Sequence, residues 1–379
     1  GLASLQQKRL RYVLSALIEF SDEGVVRHVE FAKAAIRVTR RFSYGEVTEI
    51  LADPDRFHGR VALPVRKLLA DMHRLSRLLR GRRFDAGALE LHLPEVRIEL
   101  DRKGRVEAVR ETVHDESHQM IEEFMLAANE TVARHLLESD LPGLFRIHTQ
   151  PDPVKVADFE AFTGTLGCGL GAPADRVRPR HFQQLLKRIH GRPEERPVAL
   201  LMLRTMQKAQ YDAVNAGHFG LASETYTHFT SPIRRYADLI NHRLIKARLR
   251  KARRSAVGYE ELEDIGAHIS MTERRAENAT RAVDAWLKCS LLEERVGEAF
   301  GGTIVTVTEF GVFVELDDIH VQGLLHVSRL GSDYYKWVPN LMSLVGARSG
   351  HRFSLGQRLR VVVEDVSVEL GRGNLRTEA

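Results

Sequence analysis

The sequence has 379 residues, 43% of them hydrophobic and 28% charged, which is typical of a globular protein with two or three well-filled domains. The formal net charge of +5 is compatible with a polyanionic partner, and no apolar run reaches the roughly 18 residues that a membrane-spanning helix needs. Cys168 and Cys289 are too few for a disulfide framework or a zinc site, which favours a reducing cytosol.

The first 140 residues are predicted to combine two hairpins with three helices. Apolar runs at 10–20 and 25–38 flank the turn at 21–24, and a second hairpin pairs 96–100 with the run after Gly104. Apolar residues recur at helical spacing over the stretches 44–51, 63–79 and 114–137.

The rest of the sequence is predicted to be helical and then β-rich. Residues 152–210 form helices with breaks at prolines, and two long helices follow at 232–254 and 259–292. Short glycine-separated strands at 303–308, 312–316, 323–327 and 358–363 are typical of a small OB-type barrel. We therefore predict an α+β fold with a domain boundary near residue 295.

The predicted helix at 232 carries an unusual pair of arginines. Ser231 is a good N-cap, Pro232 suits the first helical position, and the apolar stripe is Ile233, Ala237, Ile240 and Leu244. Arg234 and Arg235 would lie at the positive end of the helix dipole, where cations are unfavourable. A bound phosphate would explain them, because both guanidinium groups and the free backbone N–H groups could bind the same phosphate. Alternatively, Arg234 pairs with Asp238 one turn later.

Further basic residues follow along the same helix, and they are either part of a nucleic-acid surface or a solvated face. They are Arg243, Lys246, Arg248, Arg250, Lys251, Arg253 and Arg254.

The run His-Phe-Thr-Ser-Pro-Ile-Arg-Arg-Tyr at 228–236, preceded by Gly-His-Phe-Gly-Leu at 217–221, resembles the signature of the ribonuclease II/R exoribonuclease family. Segments at 1–5, 121–129, 144–148 and 271–289 extend the resemblance over nearly the whole chain, and the last is closer to the ribonuclease R branch. The fold that this resemblance implies is the C-terminal portion of the family's catalytic (RNB) domain over residues 1–295, followed by an S1-type OB-fold barrel over 296–379.

The resemblance also implies roles for single residues. Arg234 stands at the position of a catalytic arginine that stabilises the scissile phosphate. Tyr44 and Glu122 match a tyrosine near the 3′-terminal nucleotide and a glutamate that holds the terminal ribose, whereas His228 and Arg235 are further RNA-binding candidates. From the residues alone, Tyr44 is equally a helix-start aromatic of the core, and Glu122 a surface residue.

The sequence departs from the family pattern at two places. Leu91 stands where the family often stacks an aromatic ring on the last base. The compact group of four aspartates that holds Mg²⁺ in the family is not found, since Asp317-Asp318 and the pair Asp53 and Asp55 have a different spacing. We expect the Mg²⁺ ligands, like the family's cold-shock domains, upstream of residue 1, so that the chain begins in mid-protein.

The stretches Phe-Gly-Val-Phe at 310–313 and Gly-Leu-Leu-His-Val-Ser at 323–328 resemble an S1-type RNA-binding domain. The resemblance implies a base-stacking surface of Phe310, Phe313 and His326. Strand alternation would separate the two phenylalanines unless Gly311 introduces a kink, so one of them is alternatively a core residue. More aromatic surface is expected nearby at Tyr334, Tyr335 and Trp337, with the basic Lys336 among them.

Two functional hypotheses follow. The first is a Mg²⁺-dependent, processive 3′→5′ exoribonuclease that releases nucleoside 5′-monophosphates from single-stranded RNA, with this chain alone inactive for lack of the aspartates. The second is a non-catalytic RNA-binding protein or a degenerate family member. An aspartate cluster upstream of residue 1 would distinguish them. In either case we expect a cytoplasmic monomer that binds the 3′ end of RNA and no membrane.

Overall fold

The computed structural model describes residues 4–91, 93, 95–112, 114–192, 194–250, 257–317 and 319–378. The α-helices are α1 (Tyr44–Ala52), α2 (Leu63–Ala86), α3 (Glu116–Glu138), α4 (Pro153–Thr165), α5 (Pro179–Ile189), α6 (Glu195–Thr205), α7 (Tyr236–Leu249) and α8 (Tyr259–Glu293). None of the helices among the described residues is long and apolar enough to cross a membrane. Lys251, Arg253, Arg254 and Asp318, considered above, lie outside the described residues.

The β-strands occur in pairs, in one small three-stranded sheet and in one closed barrel. They are β1 (Leu10–Phe20), β2 (Val26–Arg37), β3 (Val96–Leu100), β4 (Val106–Glu111), β5 (Phe145–Ile147), β6 (Gln210–Asp212), β7 (Ala299–Thr308), β8 (Gly311–Leu316), β9 (Gln322–His326), β10 (Tyr335–Val338), β11 (Ser343–Gly346), β12 (Arg352–Ser354), β13 (Arg358–Ser367) and β14 (Arg372–Thr377). Both predicted hairpins, β1–β2 and β3–β4, are confirmed.

By its internal contacts the chain divides into two units. The first unit comprises Gly1–Leu89, Val113–Gln150 and Lys208–Thr272, and the second comprises Glu90–Thr112, Pro151–Gln207 and Glu273–Ala379. Because each unit collects separate stretches of the chain, the single domain boundary near residue 295 stays a prediction.

Helices α1, α2 and α3 of the first unit begin and end at residues suited to these positions. Ser43 and Glu46 form a capping box at the start of α1, and the Asp115 side chain accepts the first N–H groups of α3. Helix α2 ends at Gly87, whose φ of 106° lies in the left-handed region that favours glycine. The three helices enclose an apolar cluster of Val47, Ile50, Val61, Leu69 and Met120.

The start of α7 differs from the prediction. The helix begins at Tyr236 rather than at Pro232, because Arg235 adopts an extended conformation (φ −121°, ψ 120°) as its N-cap. Ile233 therefore lies in a turn before the helix and is 75% exposed, so its assignment to the buried stripe is wrong. Ala237, Ile240 and Leu244 are buried as predicted.

The segment before α7, residues 226–231, is joined to β5 by an isolated β-bridge between Thr227 and Phe145, and buried side chains hold the residues that follow. Asn129 on α3 accepts the Phe229 N–H at 2.9 Å and donates to the Tyr226 hydroxyl at 2.9 Å. His242 on α7 lies 2.8 Å from the Phe229 carbonyl oxygen, and Asn241 binds the Thr227 hydroxyl at 2.8 Å. Buried backbone groups outside helices and sheets need such partners, so these side chains determine the path of the segment.

The second unit contains the predicted barrel. Its strands are hydrogen-bonded in the closed order β13-β14-β9-β8-β7, with β14 and β9 parallel and the other neighbours antiparallel. Five strands closed in this way confirm the OB-type prediction. Strands β10, β11 and β12 form a separate antiparallel sheet, and the barrel interior is filled by apolar residues, including Ile304, Val312, Val314, Leu325, Val361 and Leu375.

Two largely buried histidines of the first unit remain neutral at physiological pH. Burial, followed by the charges of His148 and Arg146, lowers the pKa of His218 to about 3. Burial, followed by the charges of Arg235 and Arg146, lowers the pKa of His228 to about 2. Both values lie far below the ordinary histidine pKa of about 6.5.

We predict that acid destabilises the first unit from about pH 6.5 downward. Below this pH the unfolded chain binds protons on both histidines whereas the folded chain does not, so the free energy of unfolding falls by about 2 kcal/mol per histidine between pH 7 and pH 5. Urea unfolding at pH 7, 6 and 5 measures it, with pulsed hydrogen–deuterium exchange on α3 as the readout. Trp286 and Trp337 both belong to the second unit, so tryptophan fluorescence does not report on the first.

The control is His228→Asn, which removes one titrating group and keeps a hydrogen-bonding side chain. The variant should lose the contribution of this one histidine, about 2 kcal/mol between pH 7 and pH 5, whereas His218, His135 and His242, whose pKa values burial also lowers, retain theirs. An equal slope in the variant and in the original chain would contradict the assignment.

Candidate nucleic-acid interface

Arg235 and Asp238 form a bidentate ion pair that closes the turn before α7. Arg235 Nε and Nη2 donate to Asp238 Oδ2 and Oδ1 at 2.9 and 2.8 Å, and the Ser231 N–H donates to Asp238 Oδ1 at 2.7 Å. Asp238 is fully buried, so its charge requires these donors. The alternative that Arg234 pairs with Asp238 is therefore wrong, because the turn directs Arg235 to this carboxylate.

Arg234 is the cation that this turn leaves exposed. No ion pair or hydrogen bond joins its guanidinium to the described residues. The N–H groups of Arg234 and Arg235 donate to the Ser231 carbonyl oxygen at 3.3 and 3.1 Å. The predicted site of two guanidinium groups and free helix N–H groups is thus reduced to one guanidinium, because Arg235 and both backbone donors already have partners.

His228 lies behind this turn among aromatic and cationic groups. Its Nδ1 is 2.8 Å from the Tyr211 hydroxyl, and its ring meets that of Tyr226 edge-on at 5.7 Å. The Arg146 guanidinium, which β5 carries, lies 4.6 Å from the centroid of the Tyr211 ring. Burial and then the charges of Arg235, Arg146, His218 and Arg234 oppose protonation of His228, so its imidazole stays neutral.

Tyr44 lies at the first position of α1 and is 45% exposed. Its ring stacks on that of His118, with the centroids 3.8 Å apart and an interplanar angle of 20°. The alternative that Tyr44 packs into the core is wrong, because the start of α1 lies at the surface and one neighbouring ring covers it only in part.

Glu122 follows His118 by one helical turn and therefore shares its face of α3. Its carboxylate is partly exposed and lies 3.6 Å from Arg83 Nη2. The next residue, Glu123, is buried, and its carboxylate forms a bidentate ion pair with Arg83. The Nη1 atom of Arg80 also lies 3.5 Å from Glu123 Oε1. Glu122 is thus available to a ligand, whereas Glu123 serves the packing of α2 against α3.

Three residues around these groups carried no distinctive signal in the sequence. Arg146 and His118 become apparent only through the rings that they contact. Glu130 on α3 has a raised pKa, chiefly because of burial, although a hydrogen bond with Ser223 and the charge of Arg134 act against it. Helical spacing along α3 places Glu130 two turns beyond Glu122, and a search for charged residues on that face would have found it.

The carboxylates that the structure describes do not fit a magnesium site. Among the described residues no three His, Cys, Asp or Glu side chains converge to hold a metal ion. The two buried carboxylates near the arginines are already in ion pairs, Glu123 with Arg83 and Asp238 with Arg235. Mg²⁺ requires several free oxygen ligands at one point, so we assign it no ligand here.

Phe310 and Phe313 come to the same side of the barrel, as the glycine between them suggested. Their rings meet edge-to-face at 6.1 Å, and Phe310 is 44% exposed. Gly311 has φ 156°, and a Cβ there would lie 2.6 Å from the Leu325 carbonyl oxygen, so the close approach of β8 and β9 requires glycine. Neither phenylalanine belongs to the buried core, so the core alternative is wrong.

His326 is exposed and faces Gly311 across β8 and β9, which puts its side chain on the same face of the sheet as Phe313. Its Nδ1 is 2.9 Å from the Ser328 hydroxyl, which orients the ring. A cavity of about 760 Å³ adjoins the two phenylalanines. Its charged lining residues are Arg196, Arg281, Asp284, Lys288, Glu315 and Arg372.

Lys336 lies apart from this face, on β10 of the three-stranded sheet, where it is exposed. Of the three aromatic residues expected around it, only Tyr334 is exposed, at 69%. Tyr335 is buried against Phe353, and Trp337 packs against the barrel core, so the extended aromatic surface is wrong for both. Alternation along β10 turns these two rings inward and Lys336 outward.

Comparison with known proteins assigns the chain to families along most of its length. The RNB domain family matches residues 1–251, and the S1 RNA binding domain family matches residues 293–377. Ribonuclease R of Escherichia coli (strain K12) is 36% identical over 379 residues, which cover 97% of this chain and 46% of that protein. Ribonuclease R 1 of Lactococcus lactis subsp. lactis (strain IL1403) is 36% identical over 96% of this chain and 45% of that protein.

The chain thus spans about half the length of the curated relatives that it matches. Among solved structures, the apo form of Mycoplasma genitalium RNase R has a TM-score of 0.92 at 28% identity and covers 100% of this chain and 59% of that one. Yeast Ssd1, a pseudonuclease, has a TM-score of 0.68 at 19% identity over 90% of this chain and 42% of that one. At this identity the similarity shows the fold alone. With the RNB domain family matched over residues 1–251, the S1 RNA binding domain family over residues 293–377 and relatives named ribonuclease R along nearly all of its sequence, the chain belongs to the RNB domain family.

Proposed function

We propose that this chain binds the 3′ end of single-stranded RNA and serves its processive 3′→5′ hydrolysis to nucleoside 5′-monophosphates. The observation that carries the proposal is the exposed Arg234 guanidinium on a turn that the buried Asp238 holds in place. Mycoplasma genitalium RNase R, 29% identical to this chain, has been solved in complex with ribose methylated single-stranded RNA, which supports the proposal.

Arg234 would bind the scissile phosphate. A guanidinium presents two parallel N–H donors that match two phosphate oxygens, and its charge opposes the negative charge that builds up there during hydrolysis. Arg235 is less suited to this role, because its Nε and Nη2 already donate to Asp238. His228 acts as a neutral wall of the site, since its Nδ1 faces Tyr211 and its burial keeps it unprotonated.

Tyr44 and Glu122 would hold the terminal nucleotide. The exposed part of the Tyr44 ring can stack on a base, which contributes about 1–3 kcal/mol in proteins that bind single strands. A carboxylate such as that of Glu122 accepts hydrogen bonds from ribose hydroxyl groups, and the 2′-hydroxyl distinguishes RNA from DNA. Both residues border His118, Tyr44 by its ring and Glu122 by helical spacing.

The barrel would bind RNA without sequence preference. Phe310, Phe313 and His326 offer ring surfaces for bases. Cations outnumber anions in the cavity beside them, with four basic and two acidic side chains, which favours a phosphate backbone. Lys336, on the neighbouring sheet, would add a phosphate contact.

Hydrolysis in this family would depend on Mg²⁺, which acts as a Lewis acid and activates the attacking water. Because the described carboxylates do not fit the metal, we propose that the 379-residue chain binds RNA but does not degrade it by itself. We also propose a monomer in the reducing cytoplasm, which the two buried free thiols of Cys168 and Cys289 support.

A non-catalytic RNA-binding protein is the second candidate. The same lack of converging metal ligands among the described residues favours it. A longer form of the protein that includes an aspartate cluster and degrades RNA would exclude this candidate.

We predict that Arg234→Ala weakens the binding of a fluorescein-labelled oligo(A) by about tenfold, because it removes a charge-assisted hydrogen bond to phosphate. Fluorescence anisotropy at several salt concentrations measures the affinity, and the slope of log K against log salt should fall by about one.

The matched control is Arg27→Ala, which removes an exposed arginine of the same charge from β2. Arg235→Ala is unsuitable as a control, because it leaves Asp238 buried without its ion pair. Equal affinities for Arg234→Ala and Arg27→Ala would exclude a specific phosphate site at Arg234.

We predict that Phe310→Ala lowers the affinity for oligo(A) by about five- to tenfold, since it removes one stacking surface. The melting temperature should change little, because the ring is 44% exposed. Tyr12→Ala, which removes an exposed ring from the first unit, serves as the control. A Phe310→Ala variant that binds like Tyr12→Ala would show that the barrel face does not contact RNA.

We predict that the 379-residue chain leaves a 5′-labelled oligo(A) intact in the presence of Mg²⁺, because no described carboxylates converge to hold the ion. A denaturing gel over a time course measures the RNA length. Shortening that Arg234→Ala abolishes would overturn the proposed inactivity and reveal metal ligands within this chain.

A further inference from the structure

We propose that His118 is a positioning residue that holds the Tyr44 ring as the stacking platform for the terminal base of a bound RNA 3′ end. The inference rests on the proposed function and extends it to a residue outside the groups assigned so far. It is carried by the contacts that link α1 and α3 at this point of the first unit.

The Tyr44 ring has one covered face and one available face. The imidazole of His118 lies nearly parallel to it, at 20° and with 3.8 Å between the centroids. Tyr44 nevertheless remains 45% exposed. A base can therefore approach only the side turned away from His118, which would extend an existing stack of two rings to three.

The Asp115 carboxylate fixes both members of the stack. Its Oδ2 accepts the Thr48 hydroxyl of α1 at 2.6 Å, and its Oδ1 accepts His118 Nδ1 of α3 at 2.7 Å. Burial would raise the pKa of Asp115, but hydrogen bonds from Thr48, Ser117 and His118 outweigh it and hold the pKa well below its ordinary range. The carboxylate thus stays ionised and ties the helix of Tyr44 to the ring beneath it.

The backbone of Tyr44 is held as well. The Ser43 N–H donates to the Glu46 carboxylate at 2.7 Å, and the Glu46 N–H donates to the Ser43 hydroxyl at 3.3 Å, so the first turn of α1 is closed. With its backbone fixed, the remaining freedom of Tyr44 lies in its side-chain torsions, which the stack on His118 restricts. A ring that is ordered before RNA binds loses less conformational entropy on binding, which raises the affinity for a terminal base.

Two substitutions at position 118 separate the effect of the aromatic ring from the effect of side-chain size. His118→Leu keeps a side chain of similar size but removes the ring, and His118→Phe keeps a ring and removes the hydrogen bond to Asp115. Both leave Asp115 without its histidine partner, so their difference reports the stack alone. His114→Leu is the matched control, because its exposed ring contacts His118 at 5.2 Å rather than Tyr44.

The probe is an oligo(A) that carries 2-aminopurine at either the 3′-terminal or an internal position. Stacking on an aromatic ring quenches the fluorescence of 2-aminopurine. In the original chain we expect quenching of the terminal probe on binding. His118→Leu should reduce this quenching and weaken binding by about fivefold, whereas His118→Phe and His114→Leu should retain most of both. The internal probe should respond equally in all four proteins, and melting temperatures show that each variant is folded.

The outcomes distinguish this inference from the proposed function. If the terminal probe is quenched in the original chain and equally in His118→Leu, His118 does not position Tyr44, while binding of the 3′ end stands. If His118→Leu and His118→Phe lose the terminal signal to the same extent, the stack is not the cause and the inference fails. If the original chain quenches only the internal probe, both the terminal clamp and this inference are overturned.

Discussion

The buried carboxylate of Asp238 is the group on which the arrangement of the first unit depends. It receives three donors from the turn before α7, two from Arg235 and one from the Ser231 backbone. A buried charge without such partners would be strongly unfavourable, so the turn can adopt only a conformation that supplies them. One consequence is that Arg235 serves as the ion-pair partner of Asp238. The other is that Arg234, its neighbour, is directed away and remains exposed.

The segment that leads into this turn, residues 226–231, is also held by buried polar contacts, in this case between uncharged groups. Asn129 and His242 bind the N–H and the carbonyl oxygen of Phe229, and Asn241 donates to the carbonyl oxygen of His228. Such buried polar contacts require close packing, and the packing in turn desolvates His218 and His228 and lowers the pKa of each. The acid sensitivity expected of this unit is therefore a consequence of the way in which an irregular segment is held.

The barrel of the second unit presents its rings by a different means. Here a close approach of two strands excludes any side chain at Gly311, and the rings on either side of that residue come together at the surface. Rings that project from a sheet bind bases through their faces, which all bases share, so this surface suits binding without sequence preference. The first unit offers instead one guanidinium and one ordered aromatic platform, which suit a single phosphate and a terminal base.

The two hairpins, most of the helices, four of the five barrel strands and the family could be predicted from the sequence, whereas β5, β6, β14 and the small sheet of β10, β11 and β12 were not predicted. Periodicity and turn residues are local signals, and the signature at 228–236 is a contiguous string. Local rules were wrong where burial and packing decided the outcome, because periodicity and turn residues do not report which groups become buried. The sequence predicted a helix that starts at Pro232. The helix starts instead at Tyr236, because the turn before it is held by the hydrogen bond from the Ser231 N–H to the Asp238 carboxylate. Tyr335 and Trp337 looked like surface aromatics, but the barrel core buries Tyr335 and packs against Trp337.

By itself the sequence determined which residue types are present near each motif, including both arginines, Tyr44, Glu122 and the two phenylalanines of the barrel. Only the tertiary structure decided which of them are available to a ligand. Arg234 and Arg235 are adjacent and alike in the sequence, and the difference between them arises from a buried carboxylate three residues further on. The platform at Tyr44 depends on His118 and Asp115, about 70 residues away in the chain. Availability is a matter of partners and burial, and both are set by contacts between elements that sequence spacing does not encode.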